Sequence, residues 1–269
     1  HDISFTLCPG ELLCLLGASG CGKSTLLKTL AGLHAPDSGR IVLDERTLSA
    51  AGHQVRPEQR RIGLVFQEGA LFPHMTALQN VSYGMPQKPM KTALEWLALV
   101  GLEDMAARYP AQLSGGQQQR LALVRALAAQ PDVLLLDEPF ACLDACLRAR
   151  LRQDVRQILK EAGVPAILVT HDPEEAMMFA DRILLMNQGG IEQIGTAEEL
   201  YFNPASPFVV RFFSDALELK AAVENRFAKT PFGALRADFP SPLARVLIRP
   251  EAFQVTDAAN AVAGRVVSS

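Results

Sequence analysis

Aromatic residues are scarce in this sequence, at 6% of 269 residues with a single tryptophan, and long apolar runs are missing altogether. Leu12–Leu16 is a typical run, and Gly17 ends it. None approaches the roughly 20 residues that cross a bilayer, which argues against an integral membrane protein. No signal-peptide pattern stands at the start. Charge of one sign is lacking too: 26 basic and 29 acidic residues leave −3, so the balance gives no reason to expect nucleic acid. The cysteines are Cys8, Cys14, Cys21, Cys142 and Cys146. Their odd number, with no C-x-x-C pair, speaks against a disulfide framework or a zinc ribbon. Cys142 and Cys146, four apart, read as small packing residues on one helix face, and free thiols fit a reducing, cytoplasmic compartment. What is plentiful is apolar surface, at 49% hydrophobic residues. That supports a globular core, excludes disorder as the main state, and suits one or two domains. There is no internal repeat and no low-complexity tract.

The chain opens on His1 rather than methionine, and Ile3, Phe5 and Leu7 alternate as in a strand already under way, which reads as a truncated start. Leu12–Leu16 predicts a buried strand, 17–22 a loop, and 24–33 a helix. The turn Pro36-Asp37-Ser38-Gly39 precedes a short strand over 40–43, and another strand is expected over 62–66. From Leu71 to Pro110 the pattern predicts short helices at 76–81, 92–100 and 103–109. Ser114 reads as the N-cap of a helix reaching about Ala129. Strands follow at 133–136 and 166–170, and helices at 144–162 and 173–180. Asn187-Gln188-Gly189-Gly190 reads as a hairpin turn between 183–186 and 191–194. Buried strands alternating with helices argue for a largely parallel α/β sheet, with 71–112 a helical insertion standing off it. Beyond Ser214 short segments such as 244–248 and 253–255, separated by prolines, suggest a small β-rich appendage.

Gly17-Ala18-Ser19-Gly20-Cys21-Gly22-Lys23-Ser24 fits G-x-x-x-x-G-K-[ST] in full, between a buried strand and a helix. A phosphate chain needs convergent backbone N–H groups, which the glycines and the following helix N-terminus supply. Lys23 is expected to reach the β- and γ-phosphates and Ser24 to offer its hydroxyl to Mg²⁺, with Thr25 next on the helix. Val133-Leu134-Leu135-Leu136-Asp137-Glu138 is an apolar strand ending in two acids. Asp137 is placed to hold Mg²⁺. Glu138, the next residue, points elsewhere and could polarise an attacking water.

Leu113-Ser114-Gly115-Gly116-Gln117, between those two motifs, is the pentapeptide on which the chain resembles the ATP-binding-cassette family. Physically it is a helix N-terminus with a capping serine and two glycines, a second anion site. The resemblance implies that Ser114, Gly115, Gly116 and Gln117 contact the ATP held by a second copy of the chain in a head-to-tail dimer. Gly17, Ser19, Gly20, Cys21, Gly22, Lys23, Ser24 and Thr25 would bind the ATP of their own copy. Gln67, after the strand over 62–66, matches the glutamine that senses Mg²⁺ and the membrane partner. Asp144 in Ala141-Cys142-Leu143-Asp144 matches the aspartate at the dimer seam, and His171 the histidine that contacts the γ-phosphate. A histidine after a strand is ordinarily structural, but His171 stands 33 positions beyond Glu138, as in the family. The resemblance thus implies Glu138, His171 and Gln67 in catalysis, and Ser24, Gln67 and Asp137 at Mg²⁺. His34, His53 and His74 receive no role. Three departures stand out. The family's adenine-stacking aromatic would fall before His1, Cys142 replaces a small hydroxyl or alanine, and the linker over 84–92 is short.

The expected fold is therefore α/β: a P-loop ATP-binding-cassette core over 1–214 with a helical subdomain near 71–112. A small, partial β-rich regulatory domain would follow over 215–269, ending mid-strand at Arg265-Val266-Val267. Gln117-Gln118-Gln119-Arg120 and the extension look like bacterial importer ATPases. The stretch 67–74 and Leu247-Ile248-Arg249-Pro250-Glu251 look closest to ferric-iron importers, with polyamine, thiamine, sulfate and sugar importers close behind. The implied partners are a second copy, transmembrane permease subunits and, indirectly, a periplasmic or extracellular solute-binding protein. The implied place is the cytoplasmic face of a bacterial inner membrane. A soluble ATPase acting on nucleic acid is disfavoured by the single signature motif and the absence of heptads and of a basic arm. A non-catalytic subunit is disfavoured by the presence of Lys23, Asp137, Glu138 and His171 together, and a P-loop kinase would leave 113–117 unexplained.

Overall fold

A computed structural model describes residues 2–66, 70–86, 91–140, 145–236 and 242–252, without the side chains of 145–147 and 150. It divides into two compact units, at residues 200 and 201. In the first, β1 (Leu12–Gly17) leads through the glycine-rich loop into α1 (Lys23–Ala31). The small strands β2 (Ile41–Leu43), β3 (Arg46–Ala50) and β4 (His53–Gln54) follow, then β5 (Ile62–Val65). The helices α2 (Ala77–Ser82), α3 (Ala93–Leu99) and α4 (Gly115–Ala128) precede β6 (Val133–Asp137). Next come α5 (Ala145–Ala162), β7 (Ala166–Thr170), α6 (Pro173–Phe179), and the hairpin β8 (Arg182–Asn187) and β9 (Gly190–Gly195). The helix α7 (Ala197–Phe202) crosses the division. The second unit holds α8 (Pro207–Phe213) and an antiparallel sheet, in the order β12-β11-β10-β13. Its strands are β10 (Leu217–Glu224), β11 (Phe227–Thr230), β12 (Gly233–Arg236) and β13 (Leu243–Ile248).

The main sheet has the order β5-β6-β7-β1-β8-β9, parallel except for β9. β1 lies between β7 and β8 and is buried along its whole length, which is why it reads as an unbroken apolar run rather than an alternation. Leu13 and Leu15 of β1, Leu135 of β6, and Ile167 and Val169 of β7 form a core with Leu27 and Ala31 of α1. At the opposite edge from the loop, Asp181 accepts from the Leu12 amide at 2.8 Å and pairs with Lys160 at 2.5 Å and Arg156 at 3.5 Å, tying β1 to α5. The hairpin turn falls on Gln188 and Gly189, both at positive φ, as a two-residue turn of the right twist requires.

Some expectations need correction. Residues 2–7 alternate in burial, and Ile3, Phe5 and Leu7 lean on the core, but no strand forms there, because none of the described strands pairs with them. Over 103–109 only a 3₁₀ turn, Glu103–Met105, is present. The carbonyls of Ala106 and Arg108 are taken by the Leu78 and Ala77 amides, two orphan donors in the first turn of α2, and are unavailable for a continuing helix. The polar strands β3 and β4 carry little apolar pattern and were not expected.

Arg60 binds the small antiparallel sheet to α1. It is fully buried, yet makes five hydrogen bonds. Nη1 donates to the Thr29 and Leu30 carbonyls in the last turn of α1, at 3.1 and 2.8 Å. Nε donates to Val55 O, and Nη2 to Leu48 O and Ser49 Oγ. A cation at a helix C-terminus also answers the helix dipole. Gly32 ends α1 at φ +84°, and a Cβ there would lie 2.4 Å from Arg60 Nε. Replacing Arg60 by leucine removes five donors: Thr29 O and Leu48 O keep the Gly32 and Val55 amides, but Leu30 O, Val55 O and Ser49 Oγ lose the guanidinium. The expected loss of stability, read by urea unfolding, is at least about 3 kcal/mol. A loss under about 1 kcal/mol would show that water or a neighbour replaces the guanidinium.

Candidate functional site

Parallel strands present their carboxyl ends along one edge, and that edge is where the sequence placed its chemistry. Asp137 of β6 pairs with Val169 of β7, and Leu16 of β1 pairs with Thr170, so the ends of β6, β7 and β1 are level. Asp137 and Glu138, His171, and the glycine loop therefore emerge side by side. Gln67, which follows the next strand outward, β5, lies outside the described residues, as do Cys142 and Asp144. The side chain of Cys146 lies outside them as well.

The loop folds as its glycines permit. Gly17, Gly20 and Gly22 have φ of +155°, +80° and +104°, and Gly22 is the N-cap of α1. A Cβ on Gly17 would lie 2.5 Å from the Met186 carbonyl oxygen and 2.8 Å from Cys21 Sγ, so the close approach of the loop to β8 excludes a side chain. Ser19, Gly20, Ser24 and Thr25 are exposed, while Cys21 and Lys23 are buried. Lys23 Nζ donates to Gly17 O at 2.7 Å and Ala18 O at 3.0 Å, which holds the ammonium against the curl of the loop. The result is an exposed concavity of amides, a helix N-terminus and a cation, suited to polyphosphate.

Asp137 and Glu138 are adjacent in sequence but differ in setting. Asp137 ends the strand half-buried. Burial pushes its carboxyl pKa up, and the Glu138 charge adds to the rise, against opposing contributions from Lys28 and Lys23. Glu138 stands at φ +43°, in the left-handed region that costs a non-glycine residue about 1 kcal/mol or more. Its amide still donates to Val169 O at 3.0 Å, so the backbone leaves the strand at this residue. The turn brings Glu138 Oε1 to 3.3 Å from His171 Nδ1. The His171 side chain is 57% exposed, open to a ligand at this edge.

Among the described residues no group of three or more His, Cys, Asp or Glu could form an all-protein metal cage. The set here is instead one hydroxyl, Ser24, and a half-buried carboxyl crowded by another carboxylate. That composition suits Mg²⁺, which takes few protein ligands and completes its shell with water and phosphate.

Ser114 caps α4: its Oγ accepts from the Gln117 amide at 3.3 Å, and Gln117 Oε1 accepts from the Ser114 amide at 2.8 Å. Gln118 Nε2 fastens the cap to the carbonyls of Pro110 and Leu113. Nothing lies within 4 Å of a Cβ built on Gly115. Among the described residues no hydrogen bond or ion pair joins this cap to the glycine loop. The structure thus brings Lys23, Asp137, Glu138 and His171 to one edge and leaves Ser114 and Gly115 exposed at the start of α4, with Gly116 buried behind them. Sequence reasoning passed over Asp172, which caps α6 by accepting from the Glu174 and Glu175 amides. The signal was legible in Asp172-Pro173-Glu174.

The family profile described as ABC transporter matches residues 1–141. The chain is 44% identical over 255 residues to the Fe(3+) ions import ATP-binding protein FbpC of Mesorhizobium japonicum, covering 93% of this chain and 71% of that one. It is 43% identical to the sulfate/thiosulfate import ATP-binding protein CysA of the same organism, covering 100% of this chain and 81% of that one. Among solved structures, it is similar to the dimeric ATP-binding cassette MJ0796 in a post-hydrolysis state bound to ADP and Pi. There the TM-score is 0.61 and the identity 33%, over 72% of this chain and 88% of that one. It is also similar to cbiO1 of Clostridium perfringens, part of the ABC transporter complex cbiONQ. That match has a TM-score of 0.66 and 30% identity, over 75% of this chain and 83% of that one.

The close approach of Gly17 to β8 predicts the effect of a single methyl group. Gly17→Ala must displace either the Met186 carbonyl or the loop, and is expected to weaken ATP binding in calorimetry more than about tenfold, or 1.4 kcal/mol. Unchanged affinity would show that the loop has slack at this residue.

Proposed function

The chain belongs to the ABC transporter family, and from that premise we propose that it is the ATP-binding, ATP-hydrolysing subunit of an importer of ferric iron. One observation carries the reading. The phosphate loop with Lys23, the acids Asp137 and Glu138, and His171 meet at one sheet edge, in a chain 42–45% identical to several Fe(3+) import ATP-binding proteins. A second cargo, sulfate or thiosulfate, is favoured by the equally high identity to the CysA relative over the whole chain. The cargo itself is recognised by subunits other than this one. Its chemistry leaves no mark here.

The loop amides and Lys23 bind the triphosphate of ATP. Mg²⁺, held by Ser24 and Asp137 with Gln67, would neutralise phosphate charge when bound. Glu138, turned out of the strand, orients a water for attack on the γ-phosphorus and accepts its proton. His171 and Lys23 meet the charge that builds on the phosphoryl oxygens. The cap at Ser114–Gln117, exposed at Ser114 and Gly115, contacts the nucleotide of a second copy, so two chains close head to tail around two ATPs, with Asp144 at the seam. The dimeric state of the related cassette supports this arrangement. Closure drives permease subunits that receive cargo from an external solute-binding protein, and hydrolysis reopens the pair. No described helix is long and apolar enough to cross a membrane, which accords with a peripheral subunit docked on a permease at the cytoplasmic face.

Glu138→Gln keeps the shape and removes the base. Phosphate release is expected to fall by more than about a hundredfold while ATP binding persists, and a dimer should accumulate with ATP and Mg²⁺ in size-exclusion chromatography. Undiminished hydrolysis would overturn the assigned role. The signature reading has its own test. With nothing near its Cβ position, Gly115→Ala should leave the folded chain as stable as before, or stabler by a few tenths of a kcal/mol through helix propensity. ATP-dependent dimerisation and turnover should nevertheless drop, because the added methyl meets the other copy's nucleotide. Normal turnover in this variant would refute contact in trans.

A further inference from the structure

One buried acid is not used by the mechanism above. Glu175, in α6, is only 5% exposed; its Oε2 accepts from Thr170 Oγ1, and its Oε1 has no hydrogen-bond partner among the described residues. Thr170 closes β7 immediately before His171, is itself 2% exposed, and accepts from the Asp172 amide at 3.1 Å. His171 is thus the central residue of a turn whose two flanking residues are bonded to each other. We propose that Thr170 and Glu175 are positioning residues for His171: the Glu175 carboxylate holds the Thr170 hydroxyl, the hydroxyl holds the Asp172 amide, and the locked turn presents the imidazole to Glu138. The proposal rests on the ATP-hydrolysing reading of this edge.

Ile167 and Val169 face the core under α1, so Thr170 points to the other face of the sheet, where an apolar residue of the same shape would fill the space at no polar cost. A buried hydroxyl is tolerated only when bonded, and a buried carboxyl with one free oxygen is unfavourable. Burial accordingly pushes the Glu175 pKa up; the Thr170 hydrogen bond opposes the rise, the charge of Asp172 adds to it, and those of Arg152 and Arg148 oppose it. A valine–leucine pair would avoid that cost, though buried Arg152 would then lose the charge of Glu175. What such a pair could not do is fix the hydrogen of Thr170 toward α6, leaving its lone pair to the Asp172 amide. Asp172 in turn caps α6, the helix that carries Glu175, so strand end, turn and helix start form one closed circuit around His171. The circuit leaves the imidazole exposed and restricts its backbone, which is what a group aimed at a phosphoryl oxygen requires.

The test uses the purified chain with ATP and Mg²⁺. Thr170→Val is isosteric and removes both bonds; Thr170→Ser keeps the hydroxyl; Glu175→Leu removes the acceptor; His171→Ala reports on the edge itself. Thr170→Val and Glu175→Leu are expected to lower kcat about ten- to a hundredfold with KM for ATP changed less than about threefold, while Thr170→Ser stays near the parent. In chain labelled at histidine carbon, the His171 resonance, identified by its loss in His171→Ala, should move in Thr170→Val and hold in Thr170→Ser. Thermal melting is followed in parallel, and if Glu175→Leu fails to fold, the isosteric valine variant decides. A valine variant with parental kcat and an unmoved resonance would overturn the proposal. So would equal losses in valine and serine variants with the resonance unmoved, which would mark a purely structural role. Full activity in His171→Ala would instead refute the hydrolytic reading of the edge, a separate outcome.

Discussion

The parallel pairing of β1 with β7 and β8 sets everything that follows at the site. Leu16 against Thr170 fixes the level at which two strands end, and Gly17 against Met186 fixes how closely the loop hugs its neighbour. A Cβ on Gly17 would lie 2.5 Å from the Met186 oxygen, so the loop starts too near its neighbour for any other residue. It must then rise and curl away, and the curl is what points its amides outward. Lys23 is held in that curl by the carbonyls of Gly17 and Ala18, so the same strand pairing that shapes the loop also places its cation. Burial of β1 on both faces supplies the force: a strand of leucines with no solvent side cannot slip register without exposing its neighbours.

The helix that begins at the loop is held at its far end by a different device. Its C-terminal carbonyls meet a fully buried guanidinium, Arg60, which also grips β3 and the strand-like turn at Val55. Phosphate at the N-terminus and a cation at the C-terminus both complement the helix dipole. Arg60 therefore does more than fill space: it makes the small antiparallel sheet a support for the phosphate loop, at the cost of desolvating a charge that only a full set of acceptors offsets.

The sequence was most legible where local pattern and tertiary role coincide. The apolar runs 12–16, 133–136 and 166–170 are buried parallel strands because that setting admits no polar face, the glycine loop and the two-residue turn at Gln188-Gly189 follow from backbone sterics, and the Ser114 cap from local hydrogen bonds. It was least legible where a segment depends on a distant partner. The alternation at Ile3, Phe5 and Leu7 carries the periodicity of a strand without the partner that would make it one. The stretch 103–109 has helical composition, but its carbonyls serve α2 instead. Nothing local marks Arg60, and Thr170 and Glu175 fall simply at a strand end and within a helix. Their importance lies in hydrogen bonds across gaps in sequence that no local window contains. The exposed cap at Ser114 is the converse case. Its role came from resemblance alone, since among the described residues no hydrogen bond or ion pair joins it to the glycine loop.

The two acids show how neighbouring carboxyls acquire different chemistry from the backbone. Asp137 is the last residue of a strand, half-buried, with its charge disfavoured by burial and by Glu138. A divalent cation there would remove that penalty, so the proposed Mg²⁺ site would gain most when metal and phosphate arrive together. One residue later the chain turns through φ +43°, a conformation with a steric cost for a glutamate. The turn takes Glu138 off the line of the strand and sets it 3.3 Å from His171, at the end of the next strand over. In extended backbone successive side chains would leave on opposite faces of the sheet, and Glu138 would be directed away from the edge where Lys23 and His171 stand. The strain is therefore what would let two adjacent acids serve one reaction, in the proposed division that gives metal binding to the first and water activation to the second.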